Sequence, residues 1–501
     1  MATLPDSFLE SMSQMLKEDF PRFLESYQRP LQAGVRANTL KVTPGQLASA
    51  LPWDLAPIPW ASNGFFVDGG LRPSTHPFFT AGAYYLQEPS AMAPAQLLPV
   101  EPGDLVLDVC AAPGGKATEL AARLQGHGFL VANDVSNSRA KALLNNLERF
   151  GVANMAVTSE PVSHLAQAFP ETFDKVLLDA PCSGEGMFHK DMAIAAAWEK
   201  TGPEHYAEIQ RGLILNAADM LKPGGYLLYS TCTFNTLEDE GTVEHLLGCR
   251  PEFRLVNLAT PERLAMGFAP GFGSCAQALR VFPHLMNGEG HFIALLQKGQ
   301  AEDGPPDAKP ARDARPPRDA KPSRDPKFPR DPRSSRDSRL VSYQKLPQEV
   351  RDFFDQLRFD SDLPWRDEGL WQIRGESLYY LAHPELAQAL VKYLRCGLLA
   401  GQIKKGRFEP FQPLAMALPS ESYPRVLRLQ PTDPRIQAFL RGETLTLSDQ
   451  EHECLAKRAA RFGAPAQGWM LVCVEGLPLG WGKVAGQVVK NKLASGWRQT
   501  R

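Results

Sequence analysis

The sequence predicts an α/β chain: a doubly wound parallel sheet in its middle, a small α+β module before it, and an α+β and strand-rich region after it. Three observations carry this expectation. From about residue 100 to 298, apolar runs of strand length alternate with amphipathic helical stretches, the pattern of βαβ units with right-handed crossovers. The first run, "LVLDVC", opens through the glycine turn "AAPGGK" into a helix, as sheets that bind nucleotide-type cofactors do. Two later runs end in cysteines, Cys182 in "KVLLDAPCSGEGMF" and Cys232 in "YLLYSTCTFNTLEDE". Residues just past the carboxyl ends of such strands face the ligand crevice.

Taken in order, the chain opens on an amphipathic helix with Phe8, Met12, Met15 and Leu16 at helical spacing, a face suited to packing on the next domain. "GVRANTLKVTPGQLASAL" then reads as a strand followed by a helix, within a module spanning 1–85. In the central domain, 86–298, the strands are "LVLDVC", "FLVANDV", "MAVTSE", "KVLLDA", "GGYLLYSTC" and "GEGHFIALLQ". The helices are "KATELAARLQ", "SRAKALLNNLERFG" with Gly151 as C-cap, and "YAEIQRGLILNAADML". Residues 299–342 form a linker in which Arg-Asp recurs at Arg312, Arg318, Arg324, Arg330 and Arg336. A Pro-rich, charged segment of this kind buries no core. It reads as a disordered spacer, or as a basic tether that touches RNA phosphates. Residues 343–425 return to folded composition, with "LPQEVRDFFDQLRF" and "PELAQALVKYLRC" both read as helices. The tail, 426–501, ends in the strand-rich "GWMLVCVEGLPLGWGKVAGQVVKN", which fits a small β-barrel.

Bulk properties narrow the function classes. A formal net charge of −2 over 501 residues excludes a globally basic protein, so any nucleic-acid contact rests on local patches. Eight cysteines in a chain of this length, with no secretory leader at the N-terminus, read as reduced thiols of a cytoplasmic protein. No run reaches the ~18–20 apolar residues of a membrane span. Cys110, Cys249, Cys275, Cys396, Cys454 and Cys473 show no Cys-x-x-Cys spacing, which argues against zinc and for buried thiols. His284 and His291 read as packed or hydrogen-bonded histidines ahead of catalytic ones, and Lys190 as a lysine that reaches the RNA or a catalytic group, or else as a surface lysine. Trp481 with Lys483, Lys490 and Lys492 reads equally as core plus solvated charge or as an aromatic–basic RNA surface.

The glycine turn lacks both the phosphate-loop pattern and the third glycine of a dinucleotide fingerprint. Gly114 and Gly115 would let backbone approach a ligand, and Asp134, ending the next strand, is placed for a ribose diol. NAD, FAD and S-adenosylmethionine all fit this; the thiols downstream favour S-adenosylmethionine. Carbon-5 of cytosine is a poor nucleophile. A thiolate adding at carbon-6 makes carbon-5 enamine-like, an acidic group near nitrogen-3 supports the adduct, and a further group must handle protons for release. Asp179, Cys182 and Cys232 supply these types, and spacing does not choose between the thiols.

On these residues the chain resembles the Nol/Nop/Sun-type RNA cytosine-5 methyltransferases, through "CAAPGGK", "DAPCSGEG", "STCTFNTLEDE", "RANTLK", "YYLQEPSAM" and "FPHLMNGEGHF". "GEGMFHKD" and "GWMLVCVEGLPLGWGK" resemble the bacterial RsmF branch, which acts on 16S ribosomal RNA. The resemblance implies a Rossmann-like S-adenosylmethionine-dependent methyltransferase core, an N-terminal RNA-binding module and a PUA-like RNA-binding domain at 426–501. It implies that Cys110, Ala111, Ala112, Pro113, Gly114, Gly115 and Lys116 line S-adenosylmethionine, that Asp134 binds its ribose with Arg139 nearby, and that Asp179 faces cofactor and cytosine. Cys232 becomes the nucleophile and Cys182 the residue that assists adduct release. Where relatives carry an Asp after the third strand this chain has Pro161, which leaves Glu160 as the expected substitute on the adenine side. The implied partner is 16S ribosomal RNA, free or within the small subunit, met by a monomer that needs no membrane. A tRNA cytosine-5 methyltransferase and a non-catalytic RNA-binding assembly factor stand as the alternatives.

Overall fold

The computed structural model describes residues 4–300, 338–358 and 370–499. The Arg-Asp hexads from Arg312 to Arg336 lie outside the described residues, as do the two readings placed on them.

The central sheet is built from β1 (Leu105–Asp108), β2 (Phe129–Asn133), β3 (Met155–Thr158), β4 (Phe173–Asp179), β5 (Leu221–Thr231), β6 (Leu279–Val281) and β7 (His291–Lys298). Their order across the sheet is β6-β7-β5-β4-β1-β2-β3. β1 to β5 run parallel, and β7 runs antiparallel against both β5 and β6. The crossovers are α1 (Gly115–Arg123), α2 (Asn137–Phe150), α3 (Val162–Ala168) and α4 (Met192–Met220). Both faces of the sheet are covered: Leu107, Val131, Val176, Leu178 and Tyr229 are buried on one side, Val106, Leu130, Leu177 and Leu228 on the other. That two-sided burial is why the strands read as continuous apolar runs. The chain steps outward from β1 to β3 and then returns to β4 on the other side of β1. The crevice at this reversal is where β1, β4 and β5 deliver their carboxyl ends.

Local signals behave as read in the core. Gly151 takes the left-handed conformation at φ 82° and caps α2. α4 starts earlier than the apolar pattern suggested, at Met192, and bends at Gly202, which has φ 71° just ahead of Pro203. The opening helix, Asp6–Leu16, buries Phe8 and Met12 against Phe23, Phe188, Trp198 and Phe234, with Met15 and Leu16 partly covered.

The N-terminal module is a four-stranded antiparallel sheet with strands Ala33–Ala37 and Gly64–Val67 at its centre. Arg36 locks it to α1. Its guanidinium is 1% exposed, pairs with Glu119 at 3.0 Å, and donates to the Gly115 carbonyl and to Thr118 Oγ1 at 2.7 Å. Asn63 and Gln96 donate to the same Glu119 at 2.9 and 2.7 Å.

Two expectations change in the C-terminal half. The segment 384–396 is not a helix. It holds a short 3-10 turn, Leu386–Gln388, and then the strand Tyr393–Cys396, which pairs antiparallel with β3. An exposed sheet edge demands a hydrogen-bonded cover, and that tertiary demand overrides a helical pattern. The central sheet therefore takes its outer strand from beyond residue 298. The rest of this region is a five-stranded antiparallel sheet from Ser338–Val341 to Arg407–Pro410 with helix Gln348–Phe354. The last unit is a five-stranded sheet in which Val426–Leu429 pairs parallel with Gly468–Val474. Its core is continuous with that of the N-terminal module.

Arg36→Ala should cost about 3–5 kcal/mol, because it strands a buried carboxylate at Glu119 rather than removing a surface pair. Chemical denaturation followed by tryptophan fluorescence measures it; a loss under about 1 kcal/mol would put Arg36 among ordinary surface pairs.

Candidate active site

Asp179 ends β4 and sits opposite Ser230 of β5, so the residues that follow, up to Cys182 and Cys232, emerge side by side. Their sulfurs lie 3.2 Å apart, and the Cys232 amide donates to the Cys182 sulfur at 3.3 Å. Each loop is held by a glutamate of the other. Glu238, beyond Cys232, accepts from the Ser183 amide at 2.9 Å. Glu185, beyond Cys182, accepts from the Phe234 amide at 2.9 Å and from the Trp198 indole at 3.1 Å. Ser183 and Thr233 hydroxyls meet at 2.9 Å, and the Gly186 amide donates to the Cys232 carbonyl at 3.0 Å. Gln210 of α4 joins Glu238 to the Pro181 carbonyl, both at 2.9 Å. Below them Arg280, 1% exposed, pairs with Asp239 at 3.2 Å and with Glu240, and donates to the Phe234 carbonyl at 2.9 Å.

The charges around Asp179 are ordered. Its carboxylate takes Lys116 Nζ at 2.8 Å and Ser230 Oγ at 2.7 Å. Burial pushes Asp179 up, but the Lys116 charge and these two hydrogen bonds outweigh it and hold it below its ordinary value. Burial likewise works against the Lys116 cation, and the charge and hydrogen bond of Asp179 overcome it. His291 is buried, meets Ser90 Oγ at 3.1 Å, and is lowered to about 4 by burial and then by the Lys116 charge. It stays neutral, in keeping with a packed histidine. Asp108, fully buried at the end of β1, is raised to about 8 by burial and by Asp179. Cys182 is raised well above the usual thiol range, first by its hydrogen bond to Cys232, then by burial, then by the charges of Cys232 and Glu238.

These groups open on a cavity of about 770 Å³. One end is walled by Cys110, Ala112, Asn133, Asp134, Val135, Arg139, Pro161 and Val162; the other runs past Asp179, Cys182 and Cys232 to Met187, Ile194, Trp198 and Tyr206. Asp134 is anchored by the Ser136 amide at 2.9 Å and lies 3.4 Å from Arg139, which donates to the Ala112 carbonyl at 2.8 Å. A carboxylate for a ribose diol, an apolar slot of Val135, Pro161 and Val162 for a base, and polar groups where the slot reaches the thiols fit a nucleoside cofactor such as S-adenosylmethionine.

The glycine loop meets the cavity at two of its residues and packs against its neighbours at others. Of 110–116, Cys110 and Ala112 line the cavity, while Ala111, Pro113, Gly114, Gly115 and Lys116 do not. Gly114 has φ 115°, and a Cβ there would meet Leu143 of α2 at 3.2 Å; one at Gly115 would meet Gln87 at 3.0 Å. These glycines admit close packing of α2 and of the N-terminal module, and Lys116 acts through Asp179. Glu160 also departs from its expected place. It is absent from the cavity wall, its carboxylate engaging His164 Nδ1 at 2.9 Å and the Lys392 amide; Pro161 and Val162 take the wall instead.

Elsewhere, Lys190 pairs with Glu289 at 3.7 Å, His284 is buried, and Trp481 is core, donating to the Phe411 carbonyl at 2.9 Å. Cys275, Cys396 and Cys473 are buried, whereas Cys249 and Cys454 are exposed. Reading the sequence missed Asn133, Glu185, Ser230 and Glu238. Glu185 had one available signal, a carboxylate within the small-residue turn "SGEG" that follows Cys182.

The chain matches four families. Residues 95–297 match the 16S rRNA methyltransferase RsmB/F family, and 4–89 the N-terminal domain of 16S rRNA methyltransferase RsmF. Residues 352–418 match the first C-terminal domain of RsmF rRNA methyltransferase, and 426–499 the methyltransferase RsmF PUA domain. Ribosomal RNA small subunit methyltransferase F of Erwinia tasmaniensis is 40% identical over 306 residues, covering 59% of this chain and 63% of that protein. The Pectobacterium atrosepticum protein of the same name is 40% identical over 314 residues, with the same shares. The chain thus spans about 63% of the length of these curated relatives. Among solved structures, PH0851 superposes with a TM-score of 0.55 at 29% identity, over 59% of this chain and 66% of that one. NSun6 from Pyrococcus horikoshii with SFG does so at 0.51 and 22% identity, over 59% of this chain and 98% of that one, a likeness of fold.

Burial lifts Glu238 from its ordinary 4.5 to about 7, so between those values the folded chain holds a proton that the unfolded chain has released. That contribution is complete below about pH 4.5 and lost as pH rises through about 7. Urea midpoints taken across this range should fall with pH, and Glu238→Gln should reduce the slope. An unchanged slope in the variant would contradict the burial effect.

Proposed function

We propose that this chain, which matches the RsmB/F model of 16S rRNA methyltransferases over 95–297, is a member of that family and an S-adenosylmethionine-dependent RNA (cytosine-5)-methyltransferase. It forms 5-methylcytosine in 16S ribosomal RNA through a covalent cysteine–cytosine adduct, acting as a monomer in the cytoplasm. The observation that carries this reading is the thiol pair, 3.2 Å apart, set with Asp179 in the wall of one cavity of nucleoside-cofactor size.

S-adenosylmethionine, when bound, supplies an electrophilic methyl group. Asp134 takes its ribose, Val135, Pro161 and Val162 its adenine, and the strand ends of β1 and β4 its charged end. The target base must leave its stack to reach this depth, and the apolar wall of Ile194, Trp198 and Tyr206 beside the thiols keeps water from it.

The local chemistry orders the two thiols. The Cys232 amide donated to the Cys182 sulfur favours its thiolate, but the side-chain hydrogen bond to Cys232, burial and the neighbouring negative charges outweigh it. Cys182 therefore keeps its proton and faces Cys232 with it. Cys232 is left as the sulfur that attacks carbon-6. On release the carbon-6–sulfur bond breaks, Cys182 gives its proton to the departing Cys232 sulfur, and the Cys182 thiolate so formed takes the carbon-5 proton. Asp179, ionised and paired with Lys116, offers an acceptor to the cytosine amino group. The Lys116 ammonium, behind Asp179, keeps that carboxylate ionised as the adduct forms.

Cys232→Ala should abolish methyl transfer, and Cys182→Ala should accumulate a covalent RNA–protein adduct seen as a slower band on a denaturing gel. Full activity in Cys232→Ala would overturn the mechanism. Bisulfite sequencing of 16S ribosomal RNA from a deletion strain should show one or more unconverted cytosines lost.

A further inference from the structure

The outermost strand of the central sheet reaches the cofactor end of the cavity from the C-terminal half of the chain. Tyr393 lies opposite Thr158 at the end of β3, and the residue before it runs along the loop that follows β3. The Ser159 amide donates to the Lys392 carbonyl at 3.4 Å, and the Lys392 amide donates to the Glu160 carboxylate at 2.5 Å. From the other side Asn133 grips the same loop: its side-chain oxygen accepts the Glu160 amide at 3.0 Å, and its side-chain nitrogen donates to the Glu160 carbonyl at 3.1 Å. The next residues, Pro161 and Val162, form the cavity wall. The added strand is itself anchored, since Arg395 pairs with Glu148 of α2 and the Gly397 amide donates to the Met155 carbonyl at 2.7 Å.

We infer that the segment carrying Lys392 and strand Tyr393–Cys396 is a positioning element for the cofactor site, holding the wall at Pro161 and Val162 in its binding shape through Glu160. This rests on the reading of the cavity as the S-adenosylmethionine site. Without the segment β3 is a bare edge, and the loop after it must be ordered by the ligand at the ligand's expense in affinity. Glu160 acts through the loop's backbone; its carboxylate does not line the cavity. The C-terminal half of the chain thereby takes part in cofactor binding as well as in folding its own domains.

The test compares full-length wild type, Glu160→Ala and Glu160→Gln by calorimetric titration with S-adenosylmethionine, alongside amide hydrogen exchange. In Glu160→Ala the Kd should rise about tenfold, the scale of one lost charge-assisted hydrogen bond. Amides at Ser159, Glu160 and Val162 should exchange faster. Glu160→Gln, whose side-chain oxygen can still accept the Lys392 amide, should recover most of the affinity. An unchanged Kd in Glu160→Ala overturns the inference, as does a raised Kd with unaltered exchange, which would mean direct ligand contact. Wild type failing to bind S-adenosylmethionine overturns the cofactor reading itself, and is seen before any variant is compared.

Discussion

The reciprocal hold between the two thiol-bearing loops is the constraint on which the rest of the site depends. Parallel β4 and β5 bring Asp179 and Ser230 level, but strand pairing ends there, and each chain then runs free past the sheet. Glu238 closing on the Ser183 amide and Glu185 on the Phe234 amide convert two independent turns into one unit. A buried carboxylate accepting backbone amides is a strong, directional contact in a low dielectric. Two of them pointing in opposite directions leave little freedom for the sulfurs between. Arg280 beneath, shared by Asp239, Glu240 and the Phe234 carbonyl, adds no large net stability of its own. It forbids rearrangement, because any shift strands a buried charge.

The same logic spreads outward. Lys116 stands on the first turn of α1, yet its function is set by Asp179 at the end of β4. α1 is in turn tied to the N-terminal module by Arg36 and Glu119. Gly114 and Gly115, which look like ligand-approach glycines, are where α2 and the N-terminal module come close enough to make these ties. The N-terminal module and the last domain then share one apolar core. The catalytic sheet, the cofactor loop and the flanking modules are thus linked by buried charge pairs and packed faces rather than strung as separate beads.

The two largest departures from expectation have a common cause. Residues 384–396 carry a helical pattern and form a strand; Glu160 is placed for a ligand and serves a backbone amide from Lys392. Both follow from the exposed edge of β3, which recruits hydrogen-bonding partners from a segment more than 200 residues away in sequence. Local propensity contains no term for such an edge.

What the sequence by itself determined is the material of the site. Two-sided burial wrote the core strands as apolar runs, and the crevice rule places Asp134, Asp179, Cys182 and Cys232 near one another. The αL cap at Gly151 and the opening amphipathic helix were legible because each obeys a short-range rule of dihedral preference or periodicity. What only the tertiary structure decided is how those groups are used. The Cys182 thiol is pushed up by its hydrogen bond to Cys232, by burial and by the charges of Cys232 and Glu238, all brought by a neighbouring strand and its loop. Which glycines face ligand depends on what packs behind them, and which carboxylate lines the cavity depends on a strand donated from another domain. Residue types are local and appear in the sequence. Burial, partners and charge balance are sums over neighbours distant in the chain, and only folding makes them neighbours.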